Sequence, residues 1–172
     1  MISSIVAAVL LAPQAYNPTG PKLVFNMEGG KSFTIATDAK GSPKTVKRVI
    51  ELVKSKFYDG IRFHRIEPWV VQWGDPISKK SVDPASGVGT TGSGKQIPFE
   101  KSNVEFVRGI VGVASTGVGV GGDSQLFILK KDATHLNGGY AVVGKVTKGM
   151  EVVDKLELGA KIKSVKVIEK KK

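Results

Sequence analysis

The chain has 172 residues, with 26 Lys and Arg against 15 Asp and Glu, two His and no Cys. Its length and 41% hydrophobic content suit one core of ordinary size, and the lack of cysteine excludes disulfides, thiolate metal sites and cysteine nucleophiles. His64 and His135 are too few for a histidine-rich metal centre or a serine-histidine triad, and the net charge of +11 is spread along the chain, which predicts weak salt-sensitive adhesion and no specific nucleic-acid partner.

Residues Ile2 to Ala15 (ISSIVAAVLLAPQA) are too short for a membrane span and of the right length for a signal h-region, although a basic n-region is missing. Residues 1–21 are therefore expected to be a signal segment and linker. The location this implies is periplasmic or secreted, with a cytoplasmic chain as the alternative. Residues 22–172 are expected to form one domain.

Lys22 to Met27 and Ser32 to Thr37 carry β-branched and aromatic residues around Gly29-Gly30 and read as a hairpin. Ser42-Pro43 then combines a capping residue with proline at the first helical position. Val46, Val49, Ile50, Val53 and Phe57 follow at helical spacing, and Asp59-Gly60 ends that helix.

The stretch from Phe63 to Asp75 (FHRIEPWVVQWGD) predicts two short strands broken at Pro68, because proline removes a donor and holds Glu67 extended. It contains both tryptophans of the chain, and Arg65 stands beside this apolar run. A charge there either snorkels to water or has partners and a task. On an alternating strand His64 points away from Arg65, and Trp73 away from Gln72 into the core.

Ser78 to Lys95 predicts a long loop. Within it Gly89 to Lys95 looks like a phosphate-binding loop, but Gln96-Ile97-Pro98 follows where a hydroxyl and a helix are required. Gly117 to Gly122 matches the dinucleotide pattern by letter, yet leads into the strand-like Gln125 to Lys130. Neither is expected to bind a nucleotide, and no cofactor is implied.

Gly109 to Ser115 and Tyr140 to Val146 read as further strands, Met150 to Leu158 as a short amphipathic helix, and Ala160 to Ile168 as a closing strand. About eight strands and two helices without βαβ alternation predict a mainly β fold, a closed eight-stranded antiparallel barrel capped by two helices.

Six segments in order then identify a resemblance. Phe57-Tyr58-Asp59-Gly60, Phe63-His64-Arg65-Ile66, Gln72-Trp73-Gly74-Asp75, Ser124 to Ile128, Leu136-Asn137-Gly138 and Val143 to Val146 resemble the cyclophilin family of peptidyl-prolyl cis-trans isomerases, from Lys22 to Ile168. The resemblance implies Arg65 and Gln72 as catalytic residues. It implies a substrate pocket of Trp69, Val70, Phe127 and Leu136, edged by Ala114, Ser115, His135 and Tyr140.

The chain departs from the family pattern in several places. The segment after Pro68 is one residue shorter, Trp69 and Val70 replace Phe and Met, and Leu126 replaces the first Phe of a pair. His135 stands for Trp, and Tyr140 for His as in bacterial members. The expected partners are proline-containing polypeptides, with weak cyclosporin binding, and the expected state is a monomer. A peptide-binding, chaperone-like module with low turnover is the alternative function.

Overall fold

The computed structural model describes residues 16–169, so the expected signal segment at Ile2 to Ala15 lies outside the described residues. Eight strands form one antiparallel sheet: β1 (Lys22–Met27), β2 (Ser32–Thr37), β3 (Arg65–Ile66), β4 (Val70–Trp73), β5 (Ile110–Val113), β6 (Leu126–Leu129), β7 (Val142–Lys148) and β8 (Ile162–Ile168). Their order is β3-β4-β6-β5-β7-β2-β1-β8. Helix α1 (Pro43–Lys54) packs on β7 and β8, and α2 (Met150–Asp154) on β2.

The sheet is curled and open, which corrects the expectation of a closed barrel. Its end strands do not ladder together. They approach through the isolated bridge Arg62–Lys161 and through backbone bonds between segments 60–63 and 159–162. With two residues against seven, β3 has no length to pair along β8, so turns take up its neighbours' backbone groups instead.

Both helices are shorter than expected, for local reasons. Helix α1 stops at Lys54 because Lys56 takes a left-handed φ of 57°. Phe57 N–H then reaches back to Leu52 O, and Lys56 N–H to Val53 O, a Schellman closure with lysine in the place glycine usually fills. Helix α2 stops at Asp154, and the following turn tucks Leu156 into the core while Leu158 is left 58% exposed. Ser42 does not cap α1 with its side chain. Glu100, from a distant loop, accepts from the amides of Lys44 at 3.1 Å and Thr45 at 2.6 Å, placing a carboxylate at the positive end of the helix.

The inner face of the curled sheet holds the main core. Phe25, Phe33, Phe63 and Trp73 pack there in stacked and edge-on contacts with centroids 4.9 to 6.5 Å apart. Strands β4, β5 and β6 are buried on both faces or nearly so. Their outer face carries a second cluster of Val70, Ile110, Phe127, Leu129 and Val142, covered by Phe106 and Ala133. This outer cluster is the platform for the site.

Candidate active site

Strand alternation and register together bring the site residues into one row. Arg65 pairs with Gln72, Gln72 with Phe127, and Phe127 with Gly112, so four residues cross β3, β4, β6 and β5 side by side. Their even-numbered or odd-numbered strand neighbours, Val71, Ile128 and Val111, face the inner core. A β-carbon on Gly112 would lie 2.4 Å from Phe127 Cζ, so the missing side chain is what lets the phenyl ring lie across β5. Phe106 stacks beneath Phe127 with centroids 6.1 Å apart, and Tyr140 meets it edge-on at 5.8 Å.

Above this floor lies a cavity of about 230 Å³. Val70, Phe127, Leu136 and Tyr140 line it with Trp69, while Arg65, Gln72, Ala114 and Ser115 form its polar side. Every expected site residue but one therefore meets at a single cavity. The exception is His135, which is exposed outside it, its ring 6.1 Å from that of Trp69. A second depression of about 630 Å³ shares Gln72, Ala114 and Ser115 and continues toward Gly89, Gln96 and Asp123.

The Arg65 side chain is 42% exposed, so it is not a buried charge. Its Nε donates to Glu67 Oε1 at 2.7 Å and its Nη1 to Gln72 Oε1 at 3.4 Å. The guanidinium carbon also lies 5.6 Å from the centre of the Trp69 ring, within cation–π range. A guanidinium has five N–H donors, and those not taken by Glu67 and Gln72 face the cavity mouth.

Gln72 is itself held from the other side. Its amide donates to Gln125 Oε1 at 2.8 Å, and Gln125 Nε2 donates to Thr91 O at 2.7 Å and Gly89 O at 3.0 Å. That loop is pinned in turn by Asp75, which is fully buried and accepts from the amides of Ile77, Gly89 and Thr91, each at 2.8 Å, and from the Thr91 hydroxyl at 2.7 Å. Burial alone would raise the Asp75 pKa. The hydrogen bonds outweigh it and hold the carboxyl below the usual carboxylate range.

The two glycine-rich stretches are accounted for by the same chemistry. Amides of Gly89 and Thr91 serve Asp75, and those of Gly94 and Lys95 serve Asp123, so the supposed phosphate cradle is already filled by carboxylates. Gly117 to Gly122 leads into β6 without a helix. The stretch from Ser78 is not featureless either, since short 3-10 turns cover Pro76–Lys79 and Pro84–Ser86.

His64 turns away from Arg65, as alternation requires. Its ring nitrogens are buried without a partner among the described residues, and burial pushes its pKa down, which keeps it neutral. Trp73 is fully buried in the inner core. Sequence reasoning missed Glu67, Gln125, Phe106 and Gly112. Two had a visible signal, since Glu67 lies two residues beyond Arg65 and Gln125 two before Phe127, each on the same strand face. Phe106 and Gly112 had none.

Comparison with known proteins agrees with this geometry. The family model described as cyclophilin type peptidyl-prolyl cis-trans isomerase/CLD matches residues 23–171. A probable peptidyl-prolyl cis-trans isomerase of Brucella abortus is 37% identical over 160 residues, covering 90% of this chain and 80% of the relative. Peptidyl-prolyl cis-trans isomerase B of Bacillus subtilis is 34% identical, covering 83% of this chain and 95% of the relative. In fold, a cyclophilin type isomerase of Cryptosporidium parvum superposes with a TM-score of 0.73 at 23% identity, over 88% of this chain and 99% of that one. A second structure, determined in the presence of the dipeptide Ala-Pro, gives 0.70 at 24% identity, over 87% and 99%.

Proposed function

Because the chain belongs to the cyclophilin family of peptidyl-prolyl cis-trans isomerases, we propose that Arg65 is the group that lowers the rotational barrier and that the adjoining cavity holds the proline ring. The peptide bond resists rotation because the nitrogen lone pair is delocalised into the carbonyl, at a cost of roughly 20 kcal/mol for prolyl bonds. Twisting the bond localises that pair on nitrogen. A guanidinium N–H aimed at the nitrogen stabilises the twisted state more than either planar one, which is the condition for catalysis.

No bond is made or broken and no proton moves in this reaction. Val70, Phe127 and Leu136 hold the pyrrolidine ring on an apolar floor, so the other side of the bond does the turning. Gln72 lies between Arg65 and the cavity and is placed to meet the substrate backbone. The observation that carries this reading is a guanidinium fixed at the mouth of an apolar cavity with N–H donors to spare.

The substrates proposed are proline-containing polypeptides, in line with the Ala-Pro dipeptide used with the Cryptosporidium protein. Exchange spectroscopy on a short Ala-Pro peptide tests the reading. Catalysed interconversion of cis and trans signals is expected. Binding without faster exchange would leave the low-turnover, chaperone-like alternative. Export through Ile2 to Ala15, monomeric action and weak cyclosporin binding belong to the same proposal, and an intact Met1 in the native protein would overturn the export part.

A further inference from the structure

Glu67 stands two residues from Arg65 and two from Trp69, and its carboxylate is shared between them. Oε1 accepts from Arg65 Nε at 2.7 Å, and Oε2 accepts from Trp69 Nε1 at 3.0 Å. Trp69 returns the contact by placing its ring 5.6 Å from the Arg65 guanidinium carbon. The three side chains thus close a ring of contacts at the cavity mouth, joined through a turn in which Glu67 N–H donates to Val70 O and Pro68 has its φ restricted by its own ring.

We propose that Glu67 is the positioning residue of this isomerase, holding Arg65 at its working angle and Trp69 against the cavity with one carboxylate. The proposal rests on the reading of Arg65 as the catalytic group. Without Glu67, the arginine keeps only a 3.4 Å bond to Gln72 and the face of the indole. An arginine side chain has several free torsions, and an exposed one held by a single long bond spends much of its time elsewhere. Trp69 would be released together with it, since its indole N–H has no other protein acceptor among the described residues.

The carboxylate is the fitting group for this task. It is acceptor-only, and each oxygen faces one donor at a planar geometry that suits a guanidinium. The hydrogen bond from Arg65, against a smaller opposing effect of burial, holds the carboxyl below the usual glutamate range, with the Arg65 charge and the Trp69 donor acting in the same direction. The other titratable group at this edge is His135, whose ring neighbours Trp69.

Glutamine is the discriminating substitution. It keeps the length, but one of its two terminal atoms becomes a donor facing a donor, so one of the two contacts is lost. Glu67→Gln is expected to lower kcat/KM for an Ala-Pro peptide about tenfold, mainly in kcat, the order of loss that a slightly misplaced catalytic group produces. In an Arg65→Ala background the same change should alter turnover less than twofold, because Glu67 acts through Arg65.

A second readout needs no variant. The chain has two indole N–H groups, and Trp73 Nε1 is buried without a partner among the described residues. In ¹⁵N-labelled protein the Trp69 indole signal is expected to shift as pH falls through the Glu67 pKa, below the ordinary value of about 4.3, and the Trp73 signal to stay. The Trp69 shift should vanish in Glu67→Gln. If Arg65→Ala keeps full turnover, the reading of Arg65 falls and this proposal with it. If Arg65→Ala is inactive, while folded Glu67→Gln keeps turnover within twofold or the Trp69 signal ignores pH, Glu67 alone loses its role.

Discussion

Arg65 and Gln72 are register partners across the β3–β4 ladder, and the guanidinium Nη1 donates to the Gln72 carbonyl oxygen across 3.4 Å. The same glutamine is anchored through Gln125 to the loop that Asp75 pins. An exposed arginine is thereby tied to a buried carboxylate through two amides, and the position of the catalytic group depends on backbone well outside the cavity.

Arg65→Ala is expected to cut turnover by about two orders of magnitude, as removal of a donor to a developing lone pair typically does. The fold should survive, since the side chain is 42% exposed. Arg65→Lys should recover little, because an ammonium cannot serve Glu67, Gln72 and the substrate with one planar fork. Exchange rates on an Ala-Pro peptide, with circular dichroism as the folding control, check both; near-parental turnover in folded Arg65→Ala would exclude it as the catalytic group.

Gly112→Ala should damage the cavity floor from behind. The new methyl group would meet the Phe127 ring at 2.4 Å, so the ring must swing up into the cavity. Overpacking of this kind costs about 1 to 3 kcal/mol of stability. Peptide KM should rise more than kcat falls, because Arg65 is untouched. A denaturation curve and steady-state kinetics read the two effects separately, and an unchanged KM would mean that Phe127 does not form the floor.

Acid should loosen the Gly89–Thr91 loop before the rest of the domain. Asp75 has a folded-state pKa below its unfolded value, so its stabilisation is present above the unfolded value of about 3.9 and is lost as pH falls through the lower folded one. Hydrogen exchange at the Gly89 and Thr91 amides should therefore accelerate in that window. Asp75→Asn should show fast exchange at neutral pH already, since an amide brings donors to a site that supplies only donors. Equal protection in parent and variant would contradict the assignment.

His135→Trp should strengthen cyclosporin binding more than it changes turnover. His135 is exposed at the rim beside Trp69, and a larger indole there adds apolar area at about 25 cal/mol per Å² together with a ring donor. A gain of about one to two orders of magnitude in affinity is expected. Titrating the drug against both proteins in one isomerisation assay decides, and equal inhibition would remove His135 from the drug contact.

The elements were legible in the sequence wherever one local pattern governs them. Alternation marked the strands, Pro68 marked the break between β3 and β4, and the order of FHR, QWGD and SQLFI carried the resemblance from which Arg65, Gln72 and Phe127 followed. Where the α1 helix ends was misread, because its spacing ran on to Phe57 while the chain had already turned at Lys56.

What tertiary structure alone decided is every relation between distant backbones. Glu100 caps α1, Asp75 and Asp123 fill the glycine-rich loop that resembles a phosphate cradle, and the sheet stays open because β3 has only two residues to offer β8. Alternation reports which face of its own strand a residue occupies, but not which residue of another strand lies beside it. The row of Arg65, Gln72, Phe127 and Gly112 is a product of register, and register is set by the packing of two apolar faces that no single strand encodes.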